Sequence, residues 1–123
     1  ALIRKLHEAS NDDNIEFWGT GRPLRQQLFV DDLAKLIPTL LDKHNTPDPI
    51  IISPNENLSI KEMVDTCLKV SEKSVQYTFN GKHEGQFRKD GSNKKLLDLI
   101  GNYEFTSFED GLRNTYEWYK RTC

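Results

Sequence analysis

Cysteine is scarce in this sequence: its 123 residues contain only two, Cys67 and Cys123. Cys67 falls within a helical pattern and Cys123 is the last residue, so the pair forms neither a disulfide framework nor the ligand spacing of a metal site. Few cysteines without a pattern are typical of proteins in a reducing compartment. We therefore expect a cytoplasmic protein that holds no metal.

The sequence also lacks an excess of charge of one sign and long apolar runs. The chain has 17 basic and 19 acidic residues, and a nearly neutral domain has no general attraction for nucleic acid. No apolar run approaches a membrane span, and no signal peptide is recognisable. We expect no nucleic-acid or membrane partner, so any anion site has to be local. The length and the 36% of hydrophobic residues fit a single domain over residues 1–123.

A glycine-rich nucleotide loop is the third feature that is missing. Gly19-Thr20-Gly21 lacks the third glycine and the following helix of the dinucleotide fingerprint, and the Gly-Lys-Ser/Thr ending of a P-loop. We interpret it as a turn. Tyr116 and Lys120 have the spacing of a reductase's proton-transfer pair, but no cofactor motif precedes them, so we interpret the spacing as chance. We also assign no catalytic role to His7, His44 and His83, because none has a Ser, Cys or Asp partner at a spacing that indicates a catalytic site.

Hydrophobic periodicity predicts a small α/β domain with short strands and four or five helices. The first two strands are expected to form a hairpin or to lie as neighbours in one sheet. The predicted strands cover residues 15–18, 25–30, 50–53 and 75–79, and 50–53 is of the kind that is buried on both faces. The predicted helices cover 1–10, 31–43, 60–71 and 93–100, which Gly101 stops, and a last helix follows Ser107. The inner face of the 60–71 helix is predicted to consist of Ile60, Met63, Val64, Cys67, Leu68 and Ser71, and that of the last helix of Phe108, Leu112, Thr115, Tyr116 and Tyr119.

Local signals mark several helix starts. Ser59-Ile60-Lys61-Glu62 is a capping box, and Ser107 is predicted to cap the last helix. Asp31 or Asp32 is expected to cap the second helix, although the two also read as a carboxylate pair. Pro38 lies inside that helix and is expected to kink or split it.

Basic residues cluster in two places that are suited to a diphosphate if they converge. Arg offers a planar fork of donors and Lys a point charge; the alternative is that each is a solvated surface charge. Trp18 either packs against a sugar or nucleoside, or fills the core. Trp118 and Tyr119 are expected to pack. The basic clusters consist of Lys5, Arg22 and Arg25 near the first strands, and Lys82, Arg88 and Lys89 in the 80–92 loop.

Several motifs together resemble the carboxyl-terminal half of the GDP-L-fucose synthase family, whose members are extended short-chain dehydrogenases/reductases. The most specific are Trp18-Gly19-Thr20-Gly21-x-Pro23-x-Arg25 and Glu84-Gly85-Gln86-Phe87-Arg88-Lys89. Leu28-x-Val30-Asp31-Asp32-Leu33-Ala34 is shared by many nucleotide-sugar epimerases and dehydratases. The capping box and the closing Tyr116-x-Trp118-Tyr119 also match, so the resemblance covers the whole chain in the right order.

The resemblance implies a small substrate-binding domain without its Rossmann half. Family enzymes convert GDP-4-keto-6-deoxy-D-mannose to GDP-L-fucose by 3,5-epimerisation and reduction at C4 with NADPH. The missing half would bind NADP(H) and carry the catalytic Ser, Tyr, Lys and Cys, so Cys67 is not that cysteine. The catalytic His would lie just before Ala1. We therefore expect this chain to be inactive alone, and the complete enzyme to be a cytoplasmic homodimer.

Substrate contacts of the family map onto five residues of this sequence. Arg25 and Lys89 would neutralise the diphosphate of a GDP-sugar. The resemblance also implies substrate contacts for Lys5, Trp18 and Glu84.

Two positions depart from the family pattern. Gln27 replaces a usual aromatic, and Pro38 interrupts a helix that is usually unbroken. Three alternatives remain: the substrate domain of a reductase acting on another NDP-sugar, a non-catalytic nucleotide-sugar-binding module, and a structural domain with a vestigial pocket.

Overall fold

The computed structural model describes residues 2–123, and over these residues the chain forms five α-helices and five short β-strands. This confirms the predicted α/β class. The helices are α1 (Leu2–Glu8), α2 (Val30–Lys43), α3 (Ile60–Ser71), α4 (Lys94–Ile100) and α5 (Phe108–Thr122). The strands are β1 (Asn14–Phe17), β2 (Leu24–Arg25), β3 (Leu58–Ser59), β4 (Gln76–Phe79) and β5 (Arg88–Lys89). None of the helices in 2–123 is long and apolar enough to cross a membrane.

The main core lies between α1, α3 and α5. It consists of Leu6 from α1, Cys67 and Val70 from α3, and Leu112 and Tyr116 from α5. Within α3 and α5 these residues are three or four positions apart, which places them on one face of each helix. Burying an apolar side chain of this size stabilises the fold by about 1.5–3 kcal/mol. Leu112 and Tyr116 confirm the predicted inner face of α5, and Cys67 confirms that of α3, whereas Val70 was not predicted to lie there.

The strands form two separate small sheets. β1 pairs with β4 in parallel, whereas β2 lies between antiparallel β3 and parallel β5. The expected hairpin between the first two strands is therefore wrong. The turn between them diverts the chain: Gly21 has a φ of +75° and lies so close to the Phe79 ring that a Cβ would sit 2.6 Å from it. Only glycine satisfies both conditions.

One predicted strand is shorter than expected, and another is absent. β2 ends at Arg25 rather than Val30, and residues 50–53 form no strand. A strand needs a partner strand for its backbone hydrogen bonds. Here side chains form hydrogen bonds with backbone groups in or near these segments instead. Asn93 Nδ2 donates to the Ser53 carbonyl at 2.8 Å, and Gln26 bonds to the backbone of Gly91. The expectation that 50–53 is buried on both faces also fails, because Ile51 is exposed.

Helix termini follow the local signals in three places. The Ser59 hydroxyl accepts from the Glu62 N–H at 3.1 Å, and the Glu62 carboxylate accepts from the Ser59 N–H at 2.7 Å, so the capping box is confirmed. Ser107 Oγ accepts from the Asp110 N–H at the start of α5. Gly101 follows the last residue of α4, as predicted.

The start of α2 differs from the prediction. The N-cap is Phe29, which makes no side-chain capping bond, so neither aspartate caps this helix. Asp32 instead is 2% exposed and accepts hydrogen bonds from the Tyr103 hydroxyl at 2.9 Å, and from the Thr106 N–H and hydroxyl at 2.9 and 3.1 Å. It therefore fixes the segment that leads into α5. Pro38 does not split the helix, which continues to Lys43.

Replacing Asp32 with Ala is expected to lower the free energy of unfolding by about 2–4 kcal/mol, because three partly buried donors lose their buried acceptor. Urea unfolding followed by circular dichroism measures the change. Asp31→Ala is the matched control: Asp31 is the exposed neighbour in the same helical turn, so its loss is expected to change stability by less than about 0.5 kcal/mol. Equal effects of the two substitutions would contradict this role of Asp32.

The capping box also predicts a titration. Hydrogen bonds from the Ser59 N–H, and then from its hydroxyl, hold the pKa of the Glu62 carboxyl below its ordinary value. A lowered folded-state pKa stabilises the fold above the unfolded-state pKa, and this stabilisation is lost as pH falls through the folded-state pKa. We expect Ser59→Ala to raise the Glu62 pKa, measured by NMR titration of its side-chain carboxyl. An unmoved Glu62 pKa would show that the hydroxyl contributes nothing.

Candidate functional site

Two cationic residues predicted to bind a diphosphate lie on adjacent strands. Arg25 of β2 is in register with Lys89 of β5, and the strands are parallel. The Leu24 N–H donates to the Phe87 carbonyl at 2.7 Å, and this bond holds the two strands together where they begin. Residues in register share a face of the sheet, so the two basic clusters of the sequence converge at this pair. We call Arg25 and Lys89 the cationic pair.

The Arg25 side chain is held by backbone carbonyls. Its Nη1 donates to the Leu24 carbonyl at 2.7 Å and its Nη2 to the Gln86 carbonyl at 2.9 Å. A guanidinium has five N–H donors, so others remain to bind an anion. Within residues 2–123, neither Arg25 nor Lys89 forms an ion pair. The cationic pair thus carries two positive charges without a protein counter-charge.

Arg88 differs from its neighbour Lys89 in this respect. Its guanidinium contacts the Asp90 carboxylate through Nη2 at 2.6 Å and Nε at 2.8 Å. This pairing lowers the pKa of Asp90 and raises that of Arg88. A charge matched in this bidentate way is less able to attract a phosphate. Of the basic residues in the 80–92 loop, Lys89 is therefore better placed than Arg88 for an anion.

Trp18 lies on the surface with its side chain 70% exposed, so it does not fill the core. Its ring stands 5.1 Å from that of His83, centroid to centroid. Trp118 is also exposed, and its predicted packing role is wrong. An exposed indole face is available to stack on a planar or sugar ring.

Glu84 connects the Trp18 turn with the cationic pair. Its Oε1 accepts from the Thr20 N–H at 3.3 Å, next to Gly19. The following Gly85 lies against Arg25, since a Cβ built there would be 3.6 Å from the Arg25 Nη2. Contacts of residues 84 and 85 therefore connect the turn after Trp18 with Arg25.

Lys5 reaches this region only from its edge. It lies on α1, with Nζ 5.2 Å from the centroid of the Phe17 ring and 3.4 Å from the Glu16 carbonyl. Phe17 directly precedes Trp18, so Lys5 borders the Trp18 side through β1. No contact joins Lys5 to the cationic pair within the described residues.

An open groove of about 720 Å³ runs beside Lys89. Its lining is apolar at Leu28, Ile51 and Ile52, and polar on the side formed by Gln86, Arg88, Lys89, Asp90 and Gly91. An apolar wall with a cationic rim suits a ligand that joins a ring system to an anionic group. Sequence reasoning missed three polar residues of this groove, because an isolated amide or hydroxyl gives no periodic signal: Gln26, Ser53 and Gln86.

Tyr116 and Lys120 are not a proton-transfer pair in this structure. Tyr116 is buried in the core between the helices. Lys120 forms an ion pair with Glu117 at 2.6 Å, and its Nζ lies over the Tyr116 ring at 5.2 Å. Among residues 2–123, no group of three or more His, Cys, Asp or Glu side chains is arranged to hold a metal.

Comparison with known proteins gives a family match in sequence. Residues 1–53 match the NAD dependent epimerase/dehydratase family. The chain is 35% identical to GDP-L-fucose synthase 1 of Arabidopsis thaliana, and the alignment covers 100% of this chain and 39% of that protein.

Solved structures agree with this match. A GDP-L-fucose synthetase from Naegleria fowleri bound to NADP superposes with a TM-score of 0.91 at 27% identity, over 98% of this chain and 38% of that one. A GDP-mannoheptose C4 reductase from Campylobacter jejuni with NADP bound gives a TM-score of 0.82 at 25% identity, over 97% and 43%. The chain thus spans about two fifths of the length of these relatives.

The first 53 residues are therefore similar to the NAD dependent epimerase/dehydratase family. The chain is similar over its whole length to the GDP-L-fucose synthases, which are extended short-chain dehydrogenases/reductases, and it corresponds to their carboxyl-terminal part. The resemblance inferred from the motifs is confirmed.

Cys67 has the environment of an inert thiol, and this yields a prediction. Burial in the core raises its pKa to about 12, so the thiol stays protonated at neutral pH. Cys123 is exposed. We expect 5,5′-dithiobis(2-nitrobenzoate) to label about one thiol quickly in the folded chain and the second only in denaturant, since the thiolate is the nucleophile. Rapid labelling of both thiols in the folded wild-type protein, or of the remaining thiol in folded Cys123→Ser, would contradict this.

Proposed function

We propose that this chain is the GDP-sugar-binding domain of an NADPH-dependent GDP-L-fucose synthase. The complete protein would convert GDP-4-keto-6-deoxy-D-mannose to GDP-L-fucose by 3,5-epimerisation and reduction at C4. The observation that carries the proposal is the in-register pair of Arg25 and Lys89, two cations without a protein counter-charge in the described chain. The alignment with GDP-L-fucose synthases over the whole chain supports it.

The cationic pair would bind the diphosphate of the substrate. The planar donor fork of Arg25 suits phosphate oxygens, and Lys89 adds a point charge on the same face. Two bound carbonyls already orient the guanidinium, so little side-chain entropy is lost on binding. The domain as a whole is close to neutral, so attraction for an anion depends on local charges such as this pair.

Trp18 and Glu84 would contact the uncharged parts of the substrate. The exposed indole offers a stacking face and an N–H donor. The Glu84 carboxylate has acceptor capacity beyond its single bond to the Thr20 N–H, which suits a sugar hydroxyl. Lys5 would reach the substrate from the Trp18 side.

NADPH would supply the hydride in the complete enzyme. The Gly19-Thr20-Gly21 turn does not fit a dinucleotide, because it leads into strand β2 rather than into a helix whose N-terminus would meet the phosphates. We therefore assign the cofactor, and the catalytic Ser, Tyr, Lys and Cys, to an amino-terminal Rossmann domain of a cytoplasmic homodimer. On this proposal the 123 residues are inactive alone and serve to bind and orient substrate.

Helix α2 presents a surface suited to that second domain. Val30, Ile37 and Leu41 lie along one face of the helix, all exposed, and Leu41 is 75% exposed. Such a row of apolar side chains typically contacts another protein surface. Since the relatives are more than twice as long as this chain, the Rossmann domain is the partner we infer for this face.

A substrate domain of another extended reductase is the second candidate. The close superposition on a GDP-mannoheptose C4 reductase favours it, because the same fold serves another sugar there. Both candidates predict a diphosphate site at Arg25 and Lys89, and they differ in the sugar. A non-catalytic nucleotide-sugar-binding module would use the same site.

Arg25→Ala and Lys89→Ala are each expected to weaken GDP binding to this chain by about tenfold. Each substitution removes one charge-assisted hydrogen bond, which contributes about 1.5–3 kcal/mol when buried and less when exposed to solvent. Titration with GDP and GDP-mannose, followed by amide and Trp18 indole shifts in NMR spectra, measures the affinity. Lys35→Ala removes an exposed lysine from α2 and serves as the matched control, expected to bind like the wild type.

Two outcomes would contradict the proposal. Absence of shifts at Trp18, Arg25 and residues 84–89 at millimolar GDP would remove the substrate site from this surface. Equal or stronger shifts with UDP or dTDP would favour the reductase of another NDP-sugar.

A further inference from the structure

The amide of Gln26 binds both backbone groups of Gly91. Its Nε2 donates to the Gly91 carbonyl at 3.1 Å, and its Oε1 accepts from the Gly91 N–H at 3.0 Å. The same oxygen accepts from the Ser53 hydroxyl at 3.1 Å. A side chain that pairs with both groups of one residue acts like a further rung of the β-ladder.

This rung lies next to a short strand pairing. β2 and β5 pair over only two residues each, and a ladder of that length fixes its register poorly. Gln26 directly follows Arg25, and Gly91 comes two residues after Lys89. The amide therefore ties the two segments together immediately beyond the cationic pair.

The surroundings of Gly91 hold it in this position. A Cβ on Gly91 would lie 2.8 Å from Ile51 Cδ1, so a side chain there would displace the exposed end of Ile51. Asn93 is 3% exposed and donates through Nδ2 to the Ser53 carbonyl at 2.8 Å. We call Gln26, Ser53, Gly91 and Asn93 the amide latch.

We propose that Gln26 is a positioning residue that acts through the amide latch to keep Lys89 beside Arg25 in a geometry that binds a diphosphate. The inference rests on the proposed function, because it assigns Lys89 and Arg25 a shared anion. Gln26 itself does not have to touch the ligand. Its contribution is preorganisation: the loop that carries Lys89 is ordered before the anion arrives.

The chemistry of the latch requires an amide. A carboxylate at this position accepts from the Gly91 N–H and the Ser53 hydroxyl, but it cannot donate to the Gly91 carbonyl. Gln26→Glu thus retains two of the three bonds and faces a carbonyl oxygen with a negative charge. Gln26→Leu has a similar size and loses all three bonds.

Amide hydrogen exchange measures the latch directly. We expect Gln26→Leu to speed exchange of the Gly91 N–H at least about tenfold, because its acceptor is gone. Gln26→Glu keeps that acceptor and is expected to give a smaller acceleration. Gln27→Leu changes the exposed neighbour, and it serves as the control with wild-type exchange. An unchanged Gly91 exchange rate in Gln26→Leu overturns the inference, whatever the ligand results show.

GDP titrations test the positioning role. We expect Gln26→Leu to weaken GDP binding about tenfold in the wild-type background and less than about twofold in the Lys89→Ala background, because a residue that acts through Lys89 has nothing left to position. An equal tenfold loss in both backgrounds overturns the inference in favour of general destabilisation. Gln26→Glu provides the same comparison if Gln26→Leu does not fold.

Failure of the proposed function has a different signature. If Arg25→Ala and Lys89→Ala leave GDP binding unchanged, the diphosphate site itself is wrong. If they weaken binding and Gln26→Leu does not, the site stands and only the positioning role is overturned.

Discussion

The pairing of β2 on both of its edges is the constraint on which the rest of the site depends. This strand has two residues, yet it receives β3 on one side and β5 on the other. The preceding turn is bound to the start of α3, whose first two N–H groups donate to the Pro23 and Gly21 carbonyls at 3.0 and 2.9 Å. Arg25 is therefore fixed relative to α3 and, through α3, to the main core, and any residue paired with β2 takes its position from the same frame.

The cations near the proposed site differ in whether an acidic side chain pairs with them. Arg88 and Lys89 are neighbours in β5, but only Arg88 has an acidic partner, Asp90, within the described residues. The other cation of the pair, Arg25, binds carbonyl oxygens, which orient the guanidinium without cancelling its charge. In the described chain other cations, such as Lys35 and Lys43, form no ion pair either, so what distinguishes Arg25 and Lys89 is that a β-ladder holds them in register.

The features that the sequence predicted well are those that depend on neighbours in the chain. The Ser59 capping box, the Ser107 cap and the inner face of α5 need only residues within one or two helical turns. The features that it predicted wrongly depend on distant partners. Asp32 lies where a cap is expected, but Tyr103 and Thr106 make it a buried acceptor. Residues 50–53 have a strand composition and no ladder. The family motifs placed Arg25 and Lys89 in one site, whereas no local sequence pattern predicts that the two residues meet.

Helix α2 connects the two surfaces that the proposed enzyme requires. Its inner side carries Asp32, which binds the segment before α5, and its outer side carries the exposed row of Val30, Ile37 and Leu41. The helix begins five residues after Arg25, and Gln26, within the connecting segment, belongs to the amide latch. A domain that packs on the outer row would restrict the motion of α2. Because only a short segment connects α2 to Arg25, the motion of the cationic pair would be restricted as well. On the proposed function, substrate affinity would therefore rise when the Rossmann domain is attached, because the loop and the helix that frame the diphosphate would already be ordered.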